Sequence, residues 1–73
     1  MFRIVVRSGS ISSIGYDATR HLLEIEFRRT MEVFHYEGVP SSEYRGLMSA
    51  ESKGEYFNSK IRDAGYVCRK VSS

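Results

Sequence analysis

Two aromatic residues in the middle of the sequence could bind a partner molecule. Phe34 and Tyr36 stand two positions apart in the stretch MEVFHYEGVP, residues 31 to 40. On a strand this spacing puts both rings on one face, where they could stack on unpaired RNA bases or fill a small core. Core packing is the favoured interpretation for Phe34. Both uses stay open for Tyr36, since its hydroxyl could reach the rim of a core.

A second group, Lys53, Asn58 and Arg62, could bind phosphate. The run SKG, residues 52–54, opens a predicted helix, where free backbone N–H groups and the helix dipole attract anions. Asn58 and Arg62 are four positions apart and therefore share one side of that helix. Each feature has a structural alternative, because the serine of the run and Glu55 could cap the helix themselves. Asn58 and Arg62 could equally bond the backbone or a carboxylate.

Four further cations could form a basic patch. Arg28 and Arg29 lie at a predicted hairpin tip, and Arg69 and Lys70 lie near the end of the chain. If they meet in space, they would attract phosphate groups. Charged loop tips are more often simply solvated, and the sequence does not show whether the four residues meet.

Catalytic and metal-binding patterns are missing from the sequence. His21, His35 and Cys68 lack the clustered spacing of a zinc site, and no nucleophile elbow or P-loop is present. A domain of this size also has little room for an enclosed pocket. We therefore predict no enzymatic activity, no metal and no cofactor.

Size and composition predict one small domain over residues 1–73. The chain has 73 residues, 41% of them hydrophobic and 27% charged, with a net charge of +2. Cys68 has no possible intramolecular partner, which suits a reducing compartment. The opening MFRIVV is too short and too charged for a signal peptide, and no apolar run approaches a membrane span. We predict a cytoplasmic protein without a membrane segment.

The middle of the chain predicts an antiparallel hairpin. HLLEIEFR and MEVFHYE, residues 21–28 and 31–37, both alternate between apolar and polar side chains. Arg29-Thr30 is a poor two-residue turn, so we predict a four-residue loop over residues 28–31. This loop puts Ile25 opposite Phe34 and Leu23 opposite Tyr36, with both aromatics on the apolar face. A three-residue loop would put them on the opposite face.

Strands and helices are predicted on either side of this hairpin. ISSIGY, residues 11–16, is a shorter strand, whereas FRIVVR is either an edge strand or a loosely attached arm. Pro40 favours a helix over about residues 41–49, and a second helix over 53–64 has the capping pattern Ser52 to Glu55 and ends before Gly65. YVCRKV is either a strand or a packed tail. The predicted class is α+β, an antiparallel meander of three to four strands with two short helices packed on one face.

Four motifs together resemble a known family. IGYD, LLEIEF, VFHYEGVP and LMSAESKGEYFNSKIR, in this order, are similar to the KTSC domain, a short module at the C-terminus of some lysyl-tRNA synthetases that also occurs as a free-standing protein. The resemblance covers about residues 6–66. It departs from the family at Phe34, where a tyrosine is usual, and at Arg29-Thr30, where a glycine is usual near the turn. The family has no established function, and its attachment to a tRNA-handling enzyme implies RNA binding only by association.

Two functions of different classes follow as hypotheses. The preferred one is RNA binding, with Tyr36, Lys53, Asn58, Arg62, Arg28 and Arg29 as the site and RNA as the partner. The alternative is a protein-interaction module that docks a protein partner through a sheet edge or through the polar strand face around Met31, Val33 and His35.

Overall fold

A five-stranded antiparallel sheet forms the centre of the fold. The structure, a computed structural model, describes residues 1–71. The sheet follows chain order, and each strand is antiparallel to its neighbours. The α+β class is confirmed, but the sheet has one strand more than the three to four predicted, because both ambiguous terminal segments pair with it. The strands are β1 (Arg3–Val5), β2 (Ile11–Asp17), β3 (Leu22–Phe27), β4 (Val33–Glu37) and β5 (Val67–Lys70).

The predicted register of the β3–β4 hairpin is confirmed. Ile25 lies opposite Phe34, and Leu23 lies opposite Tyr36. The loop over residues 28–31 is closed by two backbone hydrogen bonds, from Phe27 N–H to the Glu32 carbonyl (2.9 Å) and from Met31 N–H to the Phe27 carbonyl (2.8 Å). The four-residue loop therefore preserves the parity that puts both aromatics on the apolar face.

Two helical segments join β4 to β5. Helix α1 (Ser41–Ser49) begins directly after Pro40, as predicted. Helix α2 (Lys53–Tyr56) continues as a π-helical segment (Phe57–Arg62), in which Asp63 N–H reaches back to the Asn58 carbonyl at 3.2 Å. The predicted second helix thus exists, but its hydrogen bonding widens from the α to the π pattern after one turn.

The caps of the second helical segment match the sequence. Ser52 Oγ accepts from Glu55 N–H at 3.3 Å, which is half of the predicted capping box. Gly65, with a φ of 84°, follows the segment and turns the chain toward β5.

Both helical segments pack on the same face of the sheet. Tyr16 of β2 stacks on Tyr44 of α1 with ring centroids 4.7 Å apart, and its hydroxyl donates to the Val39 carbonyl at 2.6 Å. Phe57 fits edge-to-face against Phe27 and Tyr36. The hydrophobic core is therefore a single layer between sheet and helices, formed by Val6, Ile11, Ile14, Leu23, Ile25, Tyr36, Val39, Leu47, Phe57 and Ile61.

The other sheet face carries polar residues and is crossed by the first two residues of the chain. We call it the open face. A Cβ atom on Gly15, in the middle of β2, would lie 2.7 Å from the Phe2 carbonyl oxygen and 3.4 Å from Met1 Cγ. Glycine within a strand often marks such a close approach of another backbone segment. Met1 and Phe2 also border a shallow concavity of about 550 Å³, with Glu24 and His35 among its lining residues.

Candidate functional site

Tyr36 and Phe34 belong to the helix-covered side of the sheet. Tyr36 is only 6% exposed, and its ring lies 5.3 Å from that of Phe57, centroid to centroid. Burial raises the pKa of its hydroxyl above the ordinary value, as does a hydrogen bond with Cys68. Phe34 is half-buried against Phe27 at 5.7 Å. A base cannot stack on Tyr36 unless the core opens, so its predicted stacking role is not supported.

Arg28 holds the loop between β1 and β2 against the end of β3. Its Nε donates to the Ser8 carbonyl at 2.8 Å, and its Nη2 donates to the carbonyls of Val6 and Ile11, both at 3.3 Å. The backbone N–H of Arg28 also donates to the Ser10 carbonyl at 2.9 Å. Much of the donor capacity of this guanidinium group is therefore used inside the protein.

The same loop brings Arg28 near the start of α2. Ser10 Oγ lies 2.5 Å from the position that a Cβ atom on Gly54 would occupy, so the loop fits against this glycine. Lys53 comes directly before it and donates from Nζ to the Ala50 carbonyl at 3.0 Å. Arg29 is exposed and makes no hydrogen bond or ion pair in the described part of the chain. We call Arg28, Arg29 and Lys53 the basic corner.

The remaining predicted site residues lie apart from the basic corner. Arg62 Nη1 donates to Asn58 Oδ1 at 3.3 Å, so these two side chains bind each other. Arg62 lies nine positions after Lys53 at the other end of the helical segment, on the order of 10 Å away along its axis. Of the six predicted RNA-binding residues, Arg28 and Lys53 therefore flank the same loop, and Arg29 follows Arg28 in the chain.

Arg69 and Lys70 do not add a basic patch to this corner. They are consecutive on β5, and alternation puts their side chains on opposite faces of the sheet. Each is paired with a carboxylate of its own, Arg69 with Glu37 at 3.2 Å and Lys70 with Glu32 at 2.9 Å. Both cations of β5 are thus paired with carboxylates, which argues against the larger basic patch considered from the sequence.

A polar network connects four strands on the open face. Arg3 binds Glu24 Oε1 at 3.0 Å and Ser13 Oγ at 2.9 Å. Ser13 in turn donates to Glu26 at 2.8 Å, and His35 Nε2 lies 2.8 Å from Glu24 Oε2. Glu24 and His35 are partners in the β3–β4 register, so their side chains share this face. No local pattern predicts that Arg3 reaches across β2 to the same carboxylate, because this contact joins residues 21 positions apart.

Glu24 is the centre of this network and is itself buried. Burial raises the pKa of its carboxyl, but hydrogen bonds from His35 and Arg3, together with the positive charge of Arg3, hold it below the ordinary value. The carboxylate thus stays ionised near neutral pH and ties β1, β3 and β4 together.

The edge strand β1 leaves backbone groups unpaired. Val6 N–H donates to the Ser12 carbonyl of the neighbouring chain segment at 3.1 Å. Alternate residues of an antiparallel strand direct their backbone groups to the same side, so Ile4 also faces β2 while Arg3 and Val5 face outward. Phe2 is 84% exposed, Val5 80% and Ile4 45%. Unpaired donors and acceptors therefore lie among exposed apolar side chains.

The opposite edge, β5, has a different chemistry. Val71 N–H donates to the Val33 carbonyl at 2.8 Å, so by the same alternation Cys68 and Lys70 face outward. The ion pairs of Arg69 and Lys70 lie along this strand. Charged side chains on an edge strand discourage further pairing. Val67 and Val71 are exposed here too, but less than Phe2 and Val5. β1 is thus the edge better suited to accept another strand.

Within residues 1–71, no three His, Cys, Asp or Glu side chains are grouped so that they could hold a metal ion. The same residues include no helix long and apolar enough to cross a membrane. Cys68 is exposed and forms no disulfide.

Comparison with known proteins identifies the family. The family model of the KTSC domain matches residues 7–66. The chain belongs to the KTSC domain family. A crystal structure of a KTSC domain protein from Yersinia pestis is 41% identical and superposes with a TM-score of 0.91, covering 97% of both chains. An uncharacterised protein of Stutzerimonas stutzeri (strain A1501) is 35% identical over 66 residues, 90% of this chain and 92% of that protein. The KTSC resemblance inferred from the motifs is confirmed.

We predict that Arg28 is important for stability and Arg29 is not. Arg28→Ala removes the side-chain bonds to three carbonyl groups and should lower the free energy of unfolding by about 1–3 kcal/mol. Arg29→Ala, one position further on, is the matched control and should change it by less than about 0.5 kcal/mol. Urea denaturation followed by circular dichroism measures both. Equal effects of the two variants would contradict the assigned role of Arg28.

We predict that Glu24 makes stability depend on pH. Because its native pKa is lowered, its contribution is complete above the ordinary glutamate pKa of about 4.3 and is lost as the pH falls through the native value. Glu24→Gln should cost about 1–3 kcal/mol at neutral pH, and this difference should shrink in acid. The control is Glu51→Gln, at an exposed residue without a partner in residues 1–71. Urea denaturation at a series of pH values is the measurement, and a difference constant in pH would contradict the assignment.

Proposed function

We propose that this KTSC domain is a protein-interaction module that binds an extended segment of a partner along β1. The outward backbone groups of Arg3 and Val5, set among exposed apolar side chains, are the observation that carries the proposal. An added strand would bond to these groups, while neighbouring side chains give specificity. This mode of binding needs no catalytic group and no cofactor.

Exposure of apolar side chains at β1 supports this function. Val5 and Phe2 are the most exposed large apolar residues in the described part of the chain. A cluster of such residues beside an unpaired strand edge promotes aggregation unless something covers it. A partner strand would cover both the apolar side chains and the backbone groups.

We predict that a proline at Val5 abolishes strand addition and that a proline at the opposite edge does not. The Val5 N–H faces outward, so Val5→Pro removes a donor for the partner without breaking a bond to β2. Cys68→Pro removes an outward N–H from β5 and is the matched control.

The measurement is an amide chemical-shift titration with a short capped peptide of alternating threonine and valine. We expect shifts concentrated at Arg3 and Val5 in the unmodified domain and in Cys68→Pro, and none in Val5→Pro. The dispersion of the spectrum shows that each variant is folded. Binding that survives Val5→Pro, or shifts confined to β5, would refute the proposal.

RNA binding through the basic corner is our second candidate function. Arg28 binds the loop between β1 and β2, and Lys53 precedes the glycine against which this loop fits, which favours it. With Tyr36 in the core, this corner would act by attracting phosphate groups and not by stacking on bases. It therefore ranks below strand addition.

We predict for this second candidate that Arg29→Ala combined with Lys53→Ala weakens binding of bulk tRNA. The salt dependence, log K against log salt, should become shallower by about 1 for each phosphate contact removed. Arg62→Ala, at the far end of the helical segment, is the control and should leave affinity unchanged. Titration with heparin identifies unspecific charge attraction, and identical shift patterns for tRNA and heparin would exclude an RNA site.

We further propose that the domain acts in the cytoplasm. The exposed, unpaired thiol of Cys68 supports a reducing compartment, because an oxidising one would promote disulfides between molecules.

A further inference from the structure

We propose that the segment bound along β1 carries an acidic side chain at the end that lies beside Arg7, with apolar side chains beside Ile4 and Val5. This inference rests on the proposed strand addition and specifies the chemistry of its partner. It extends the binding surface beyond the strand itself to the cations that follow it.

Two unneutralised cations lie where β1 ends. Arg7 is exposed and has no hydrogen bond or ion pair in the described part of the chain. The Arg28 guanidinium group binds the carbonyl groups of Val6 and Ser8, the two chain neighbours of Arg7. Arg28 has no carboxylate partner among its contacts in residues 1–71. Positive charge is therefore concentrated at this end of the edge.

Residues 1–71 supply no carboxylate to this position. The first acidic residue in the sequence is Asp17, so neither β1 nor the loop after it carries one. On the open face, Glu24 is bonded to both Arg3 and His35, and Glu26 accepts from Ser13. An acidic side chain from the partner would be the complement that the edge lacks.

A second copy of this chain is a poorer occupant for the same reason. Its β1 would bring the same apolar residues, and with them another Arg3 and Arg7 but no carboxylate. Like charges placed beside each other on neighbouring strands are destabilising. Charge complementarity therefore favours a different protein.

The central part of the edge requires apolar side chains on both faces of an added strand. Val5 shares the open face with Ser13, whereas Ile4 lies on the face of the helices. Both are exposed, so residues next to them on the partner should be β-branched or otherwise apolar. The predicted segment is thus apolar in the middle and acidic at one end.

Three capped peptides test this inference. One alternates threonine and valine, and the other two replace either the first or the last residue by glutamate. The two positions are both needed because an added strand can run antiparallel or parallel to β1. Affinity is measured by amide chemical-shift titration at low salt for the unmodified domain, Arg7→Gln and Arg69→Gln, the last being a control on the opposite edge.

We expect one glutamate peptide to bind about three- to five-fold more tightly than the neutral peptide, as an exposed ion pair would give. Arg7→Gln should remove this preference and leave binding of the neutral peptide unchanged, whereas Arg69→Gln should retain the preference. Equal binding of all three peptides, or a preference that survives Arg7→Gln, would overturn the inference while strand addition stands. Failure of every peptide to bind would overturn strand addition itself, and a concentration-dependent dimer lost in Val5→Pro would show that a second copy occupies the edge.

Discussion

The pairing of β3 with β4 determines which side chains face the helices and which face solvent. With Ile25 opposite Phe34, both central aromatics face the helices, Tyr36 in the core and Phe34 at its margin, and Glu24 comes to lie beside His35 on the open face. A slip of one residue would exchange the two sets and bury carboxylates beneath the helices. The question whether the aromatic pair binds a partner is therefore decided by the length of the loop that joins these strands.

The loop that decides this register also supplies the residue that fixes β1. Arg28 stands at its start and bonds to carbonyl groups on both sides of Arg7, so the hairpin and the edge strand depend on each other. Arg3 makes the second connection, through Glu24. A strand of only three residues can thus persist at the edge of the sheet. Arg3, its first residue, is tied to β3, and Arg28 binds carbonyl groups of the residues that follow the strand.

Local patterns in the sequence were sufficient to predict those helices and strands whose formation depends mainly on residues close together in the chain. Alternation predicted the hairpin and its register, Pro40 predicted the start of α1, and the Ser52 cap was also predicted. The two edge strands stayed ambiguous because short terminal strands are stabilised mainly by long-range pairing. The role of Arg28 could not be predicted, since its acceptors lie about twenty residues earlier in the chain and no periodicity connects them. The candidate site was predicted less well than the fold, because clustering of cations depends on how loops pack.

The two sheet edges differ because their cations have different partners. On β5, Arg69 and Lys70 are each paired with a glutamate of β4 or of the segment before it, so this edge is close to neutral and well solvated. On β1, Arg3 is neutralised within the open face, whereas Arg7 and Arg28 beyond the strand have no carboxylate within residues 1–71. Val67 and Val71 are also exposed at the β5 edge, but the more exposed Phe2 and Val5 lie at β1, so the larger apolar exposure and the uncompensated charge occur at the same edge. An edge that combines exposed apolar side chains with uncompensated positive charge selects its partner more strictly than an edge with only one of these features. The partner must supply both apolar side chains and a negative charge, at a fixed spacing along one strand.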